Sequence, residues 1–209
     1  MSSKALFVSF EGIEGSGKST QIKALDLYFR NAKKKVLCTR EPGGTDLGEK
    51  LRHLFKSESL TPRCELLLVA AARAQHVDLV LNPALATQDL ILCDRYIDSS
   101  VAYQAAGRSL GVSTIDWIND FATQGLRPDV TIYLDLSVED SVHRLNVRQG
   151  DHRDRFEQEQ KQFHQQVRQA YLDLAAREPQ RVVLVDASQD PSKITGILLQ
   201  VLSDMGIKA

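Results

Sequence analysis

The chain lacks a charge excess, a cysteine framework, long apolar runs and an abundance of aromatic residues. Its 26 Lys and Arg against 27 Asp and Glu leave a net charge of −1, so no global basic field draws nucleic acid to the surface. The three cysteines, Cys38, Cys64 and Cys93, show no CxxC spacing, which excludes a disulfide scaffold and a zinc ribbon. The longest apolar stretch, Leu66 to Ala72, falls far short of the ~20 residues a membrane span requires. The opening MSSKALFVSFEG reaches an acid at Glu11 and carries no signal-peptide cleavage pattern. These absences lead us to expect a reduced, cytoplasmic protein with neither a membrane nor a nucleic-acid partner. What is present is ordinary globular composition: 209 residues, 43% hydrophobic and 25% charged. One domain covering residues 1–209 is the expectation.

Five short aliphatic runs punctuate the chain: Ala5–Phe10, Val36–Thr39, Leu90–Cys93, Val130–Leu136 and Val182–Val185. Each has little polar alternation, as in strands buried on both faces of a parallel sheet. Helical patterns separate them, over Lys18–Asn31, Leu47–Lys56, Cys64–Ala86, Ser113–Thr123, Val138–Arg148, Phe156–Arg177 and Pro191–Met205. Alternating strands and helices predict a doubly wound α/β fold.

Between the first run and the first helix lies Gly12-Ile13-Glu14-Gly15-Ser16-Gly17-Lys18-Ser19, a full match to GxxxxGK[ST]. Glycines let such a loop curl so that successive N–H groups face phosphate oxygens. The helix N-terminus adds unpaired donors and a positive dipole end. Lys18 supplies a charge for the β- and γ-phosphates, and the Ser19 hydroxyl is a candidate Mg²⁺ ligand. Thr20 follows in the first helical turn. This loop predicts nucleoside triphosphate binding. No N-K-x-D follows a later strand, so a guanine-reading switch lacks its motif.

A kinase needs a second, acceptor-side pocket. Asp94-Arg95-Tyr96 ends the third apolar run, where ligands bind in open α/β sheets. Asp94 there suits a metal or its waters, and Arg95 suits a phosphate. Thr39-Arg40-Glu41-Pro42-Gly43-Gly44-Thr45 is a polar turn after the second run. Val69 and Arg73 share a helix face, and the arginine either snorkels to solvent or enters a polar pocket. Ser99, Ser100, Tyr103 and Gln104 follow Arg95 over one or two helical turns; they suit a sugar and a base, or equally a surface helix.

Taken in order, FEGIEGSGKSTQ, TREPGGT, ELLLVAAARAQHV, CDRYIDSSVAYQ, LRPDVTIYLDL and DRFEQE resemble the thymidylate kinase family. The similarity spans Phe10 to Glu159. It implies transfer of the ATP γ-phosphoryl group to thymidine monophosphate with Mg²⁺, a P-loop NTPase-type five-stranded parallel sheet flanked by helices, a short lid at about 146–156, and a homodimer. It implies that Arg95 holds the acceptor phosphate beside Asp94 and that Arg73 reads the thymine edge. It places Ser100, Tyr103 and Gln104 near sugar and base, and Arg40 and Glu41 in the monophosphate-side loop.

Two departures follow from the same resemblance. The family usually stacks thymine on a phenylalanine four residues before the base-reading arginine; here that place is Val69, and base affinity is expected to fall by about 1 kcal/mol. Some members carry an arginine inside the phosphate loop, whereas this loop has Ile13, Glu14 and Ser16. Glu14 is expected on the acceptor side, orienting water or metal. The arginine-crowded Arg144–Arg155 segment, RLNVRQGDHRDR, fits members that supply the charge from the lid, with Arg153, Arg155 and Arg148 as the candidates. A solvated loop with internal ion pairs is the alternative. A phosphate acceptor is already largely dianionic at pH 7, so no general base is required. His53, His76, His143, His152 and His164 indeed share no motif spacing. A broader nucleoside monophosphate kinase and a nucleotide-binding regulator without transfer activity remain alternatives at this stage. Trp117, Phe121, Phe163 and Tyr171 read as core or subunit-contact residues, and Cys93 as a buried strand residue.

Overall fold

The computed structural model describes residues 4–149, 156 and 159–208. Its five strands are β1 (Leu6–Glu11), β2 (Val36–Arg40), β3 (Leu90–Asp94), β4 (Val130–Asp135) and β5 (Val182–Asp186). They form one parallel sheet in the order β2-β3-β1-β4-β5. The expected doubly wound architecture is therefore present. Four of the strands end one residue later than their apolar runs, on Glu11, Arg40, Asp94 and Asp186. These polar ends lie at the carboxyl edge of the sheet, where a ligand needs chemistry rather than packing.

Helices cover both faces. Along β1 the side chains alternate: Val8 and Phe10 join the cluster with Ile22, Leu25 and Phe29 of α1 (Lys18–Asn31) and Leu198 and Leu202 of α9 (Pro191–Asp204). Phe7 joins the opposite cluster with Val77, Leu81 and Tyr96. The remaining helices are α2 (Asp46–Ser57), α3 (Pro62–His76), α4 (Asn82–Thr87), α5 (Ile97–Ser100), α6 (Val112–Thr123), α7 (Val138–Gln149) and α8 (Lys161–Arg177).

The expected single helix over Cys64–Ala86 divides into α3, a wide π-helical turn over Val77–Leu81, and α4. Pro83 explains the break, since it has no N–H for the preceding turn. A second π-helical stretch, Val101–Gly107, follows α5 and buries Tyr103 and Gln104 together. The helix expected from Phe156 begins only at Lys161; Phe156 lies in a preceding turn and is buried. Its ring packs against Phe55 rather than serving as a first helical residue.

Candidate active site

The phosphate loop curls as its sequence demands. Gly12 has φ +142°, and a Cβ there would come within 2.6 Å of the Leu134 carbonyl oxygen. Gly17 caps α1 in the left-handed region at φ +94°, with no side-chain cap. In the first turn of α1, Thr20 N donates to the Gly17 carbonyl at 3.0 Å, while the amides of Lys18 and Ser19 precede any helical partner and are of the kind that meets an anion. Lys18 folds over the loop, its Nζ donating to the Gly12 carbonyl at 2.9 Å and the Ile13 carbonyl at 3.1 Å. Burial, then the Arg95 charge, lowers its ammonium from 10.5 to about 8.

Arg95 stands at the end of β3 with φ +71°, a conformation uncommon for a residue with a side chain and of the kind found at functional sites. Its Nη2 donates to Glu14 Oε1 at 2.8 Å and to the Tyr103 hydroxyl at 3.0 Å. The Tyr103 hydroxyl also reaches both Glu14 oxygens, at 2.9 and 3.0 Å. Burial opposes the Glu14 charge, but Arg95 and Lys18 overcome it and hold its carboxyl below the usual range. Ser19 Oγ donates to Asp94 Oδ2 at 3.2 Å. That hydroxyl and carboxylate are hard oxygen donors at the mouth of the phosphate loop. They fit Mg²⁺, which takes one or two protein oxygens and completes its shell with phosphate and water. Among the described residues no cluster of three or more His, Cys, Asp or Glu could hold a metal by itself.

Arg73 enters a polar pocket rather than reaching solvent. It is 1% exposed and Glu41 is 2% exposed. Its Nε donates to Glu41 Oε2 at 2.7 Å, Nη1 to Ser100 Oγ and Asn119 Oδ1, and Nη2 to the Tyr96 carbonyl. The other Glu41 oxygen lies 2.9 Å from His76 Nδ1, and His76 Nε2 lies 2.7 Å from Thr39 Oγ1. Gln104 donates to buried Glu65 at 2.8 Å.

One cavity of about 560 Å³ joins these groups. Its wall includes Glu14 to Gln21 of the loop and α1, together with Arg40, Glu41, Val69, Arg73, Asp94, Arg95, Tyr103 and Gln104. Gly12 and Ile13 lie outside the wall; they meet Lys18 through their carbonyls, and the Ile13 side chain is buried in the apolar cluster. Ser100 turns to Arg73, while its neighbour Ser99 faces the cavity. Arg40 reaches the wall while paired to Glu49 at 2.7 Å. Arg153 and Arg155 lie outside the described residues, as does the side chain of Arg148.

Several residues in or beside the wall carry no motif of their own in the sequence. Arg144 of α7 donates to the Gly15 and Ala187 carbonyls, and Ser141, three residues before it, donates to the Glu14 carbonyl. Their helical spacing was the available signal. Arg52 and Phe55 on α2 show the same i, i+3 relation and both line the cavity. Ala187, Gln189 and Pro191 also line the cavity, and no local motif marks them. Tyr171, expected in the core or at a subunit contact, is buried but lies directly behind the site: its hydroxyl donates to Glu11 Oε2 at 2.7 Å. Glu11 also accepts from Tyr96 N and Ser99 Oγ. Burial and the Asp98 charge still raise its carboxyl from 4.5 to about 7.

Comparisons with known proteins agree with this geometry. The family model described as Thymidylate kinase matches residues 10–195. A thymidylate kinase of Geotalea uraniireducens is 45% identical over 190 residues, covering 88% of this chain and 89% of that protein. One of Bdellovibrio bacteriovorus is 42% identical over 210 residues, covering 98% of each. A crystal structure of thymidylate kinase from Ehrlichia chaffeensis aligns with a TM-score of 0.78 at 32% identity, over 96% of this chain and 99% of that one. With the phosphate loop, the strand-end Asp94-Arg95 pair and the buried arginine in one cavity, the chain belongs to the thymidylate kinase family.

Proposed function

We propose that this protein phosphorylates thymidine monophosphate to thymidine diphosphate with ATP, in the supply of thymidine triphosphate. The observation that carries this is the single cavity shared by the phosphate loop and the Arg73–Arg95 side. A phosphate oxygen of the acceptor attacks the γ-phosphorus, the bond to the β–γ bridging oxygen breaks, and ADP leaves. The acceptor dianion needs no proton removed. The chain's task is to bring two polyanions together and to neutralise charge during transfer.

Lys18 and the α1 amides bind the donor phosphates, and Arg95 holds the acceptor phosphate against them. Glu14 and Tyr103 orient Arg95. Ser19 and Asp94 would hold Mg²⁺, which supplies positive charge to the phosphate oxygens. Arg73, Gln104, Tyr103 and Val69 form the nucleoside side, with Glu41 and Ser100 fixing Arg73. Arg148, Arg153 and Arg155 serve as cations over the transferring group in a lid at about 146–156, since the phosphate loop has no arginine.

Residues 1–209 act as one domain. Two copies pair through the face where α6 lies beside α3. Leu67 is exposed there, and Trp117 and Phe121 stack at 5.9 Å while 68% and 76% exposed; light scattering on Trp117→Glu tests the pairing by loss of dimer mass. Free cysteines suit a reducing cytoplasm, and no helix among the described residues is long and apolar enough to cross a membrane. An ADP-release assay with thymidine, deoxyuridine, guanosine and cytidine monophosphates tests the activity. Turnover is expected with the thymidine nucleotide, and its absence overturns the reading.

A further inference from the structure

Val69 lies four residues before Arg73 on α3 and presents no ring to the cavity. Two rings line the same wall. Phe55 comes from α2 and Phe156 from the turn before α8, and they stack at 4.8 Å with planes 23° apart. They are 9% and 5% exposed, and both belong to the apolar cluster that contains Val69 and Tyr103. Phe156 is held from further sides. The Tyr103 ring meets it edge-on at 5.9 Å, and the Arg108 guanidinium stands 5.8 Å from its centroid. Arg108 is itself fixed, donating to Glu159 at 2.5 Å and Glu65 at 3.4 Å. Glu65 accepts from Gln104 as well. The ring pair and the polar groups beside it thus form one braced unit.

We propose that the Phe55–Phe156 pair is the aromatic wall against which the acceptor's pyrimidine lies. The ring contact comes from α2 and the turn before α8, whereas α3 contributes the aliphatic Val69 to the same apolar cluster. A pyrimidine offers a π-face to any suitably oriented ring, so stacking needs an aromatic surface nearby rather than one at a particular sequence position. This rests on the thymidylate kinase reading and names the residues that hold the base within it.

The test is steady-state kinetics on Phe156→Leu, which keeps apolar volume but removes the ring, and on Phe156→Leu combined with Val69→Phe. KM for thymidine monophosphate rises about tenfold in the single variant, the lower part of the range for loss of base stacking. KM for ATP stays within about twofold. The added Val69→Phe recovers most of the loss, a rescue that a merely structural role of Phe156 does not produce. If Phe156→Leu does not fold, Phe55→Leu carries the same expectation. An unchanged acceptor KM, or an equal rise in both KM values without rescue, overturns the proposal. Unmodified protein that turns over no thymidine monophosphate overturns instead the reading beneath it.

Discussion

Arg95 Nη2 donates to Glu14 Oε1 at 2.8 Å, so the end of β3 is tied to the phosphate loop. The acceptor-side cation is held by the donor-side loop itself. The guanidinium also reaches Tyr103, Ser99 and Tyr171 at 3.0, 3.3 and 3.5 Å. Such a set of directions suits a planar fork and not a point charge. We therefore expect Arg95→Lys to lower kcat about 10²-fold or more, the scale for removing a preorganised donor. Turnover at saturating ATP and acceptor checks this; a loss under threefold would show that charge alone suffices.

Lys18 yields a pH prediction. Burial first, then Arg95, depresses its ammonium from 10.5 to about 8. Above pH 8 the ligand-free lysine is mostly neutral. Bound phosphates favour the ammonium, so ATP binding takes up a proton between pH 8 and 10.5, and affinity falls as pH rises through that window. Calorimetry at pH 9 in two buffers of different ionisation enthalpy measures the uptake. We expect it in the native protein and not in Lys18→Met.

The Arg73–Glu41 pair is nearly solvent-free. Truncating one partner of such a pair leaves an uncompensated buried charge, at a cost of about 3–5 kcal/mol. Glu41→Ala is expected to lower the thermal midpoint by roughly 6–20 °C for a chain of this length. Glu41→Gln, which keeps an acceptor for Arg73, is expected to lose less. Native midpoints in both variants would show that the charge on Glu41 is immaterial to the pocket, and equal losses would show that the acceptor kept by Gln contributes nothing.

Arg153 and Arg155 carry the lid reading, drawn from sequence because they lie outside the described residues. Arg153→Ala or Arg155→Ala is expected to lower turnover by about 10³-fold, the lower end for an arginine that meets the transferring phosphoryl group. Native turnover in both variants would assign the charge elsewhere.

The sheet and the phosphate loop were legible because each rests on local pattern. Buried parallel strands read as apolar runs, and the loop's glycines and Lys18 sit at fixed spacing. Asp94 and Arg95 were legible from their place after a strand. Less legible were side chains whose role depends on packing between distant segments. Phe55 and Phe156 are 101 positions apart in number yet stack, and nothing in either neighbourhood announces the other. Glu11 looked like the end of an apolar run, but Ser99 and Tyr171 reach it from other elements. Pro83 could have marked the break after α3, but the apolar pattern continued past it and masked the signal.

In the proposed function one cavity holds both nucleotides with their phosphates end to end. Titration with adenosine and thymidine joined 5′ to 5′ through five phosphates tests it most directly. We expect one molecule to bind per chain, tighter than ATP or thymidine monophosphate alone, and to be displaced by either nucleotide. A linked compound that binds no tighter than ATP and is not displaced by thymidine monophosphate would contradict it.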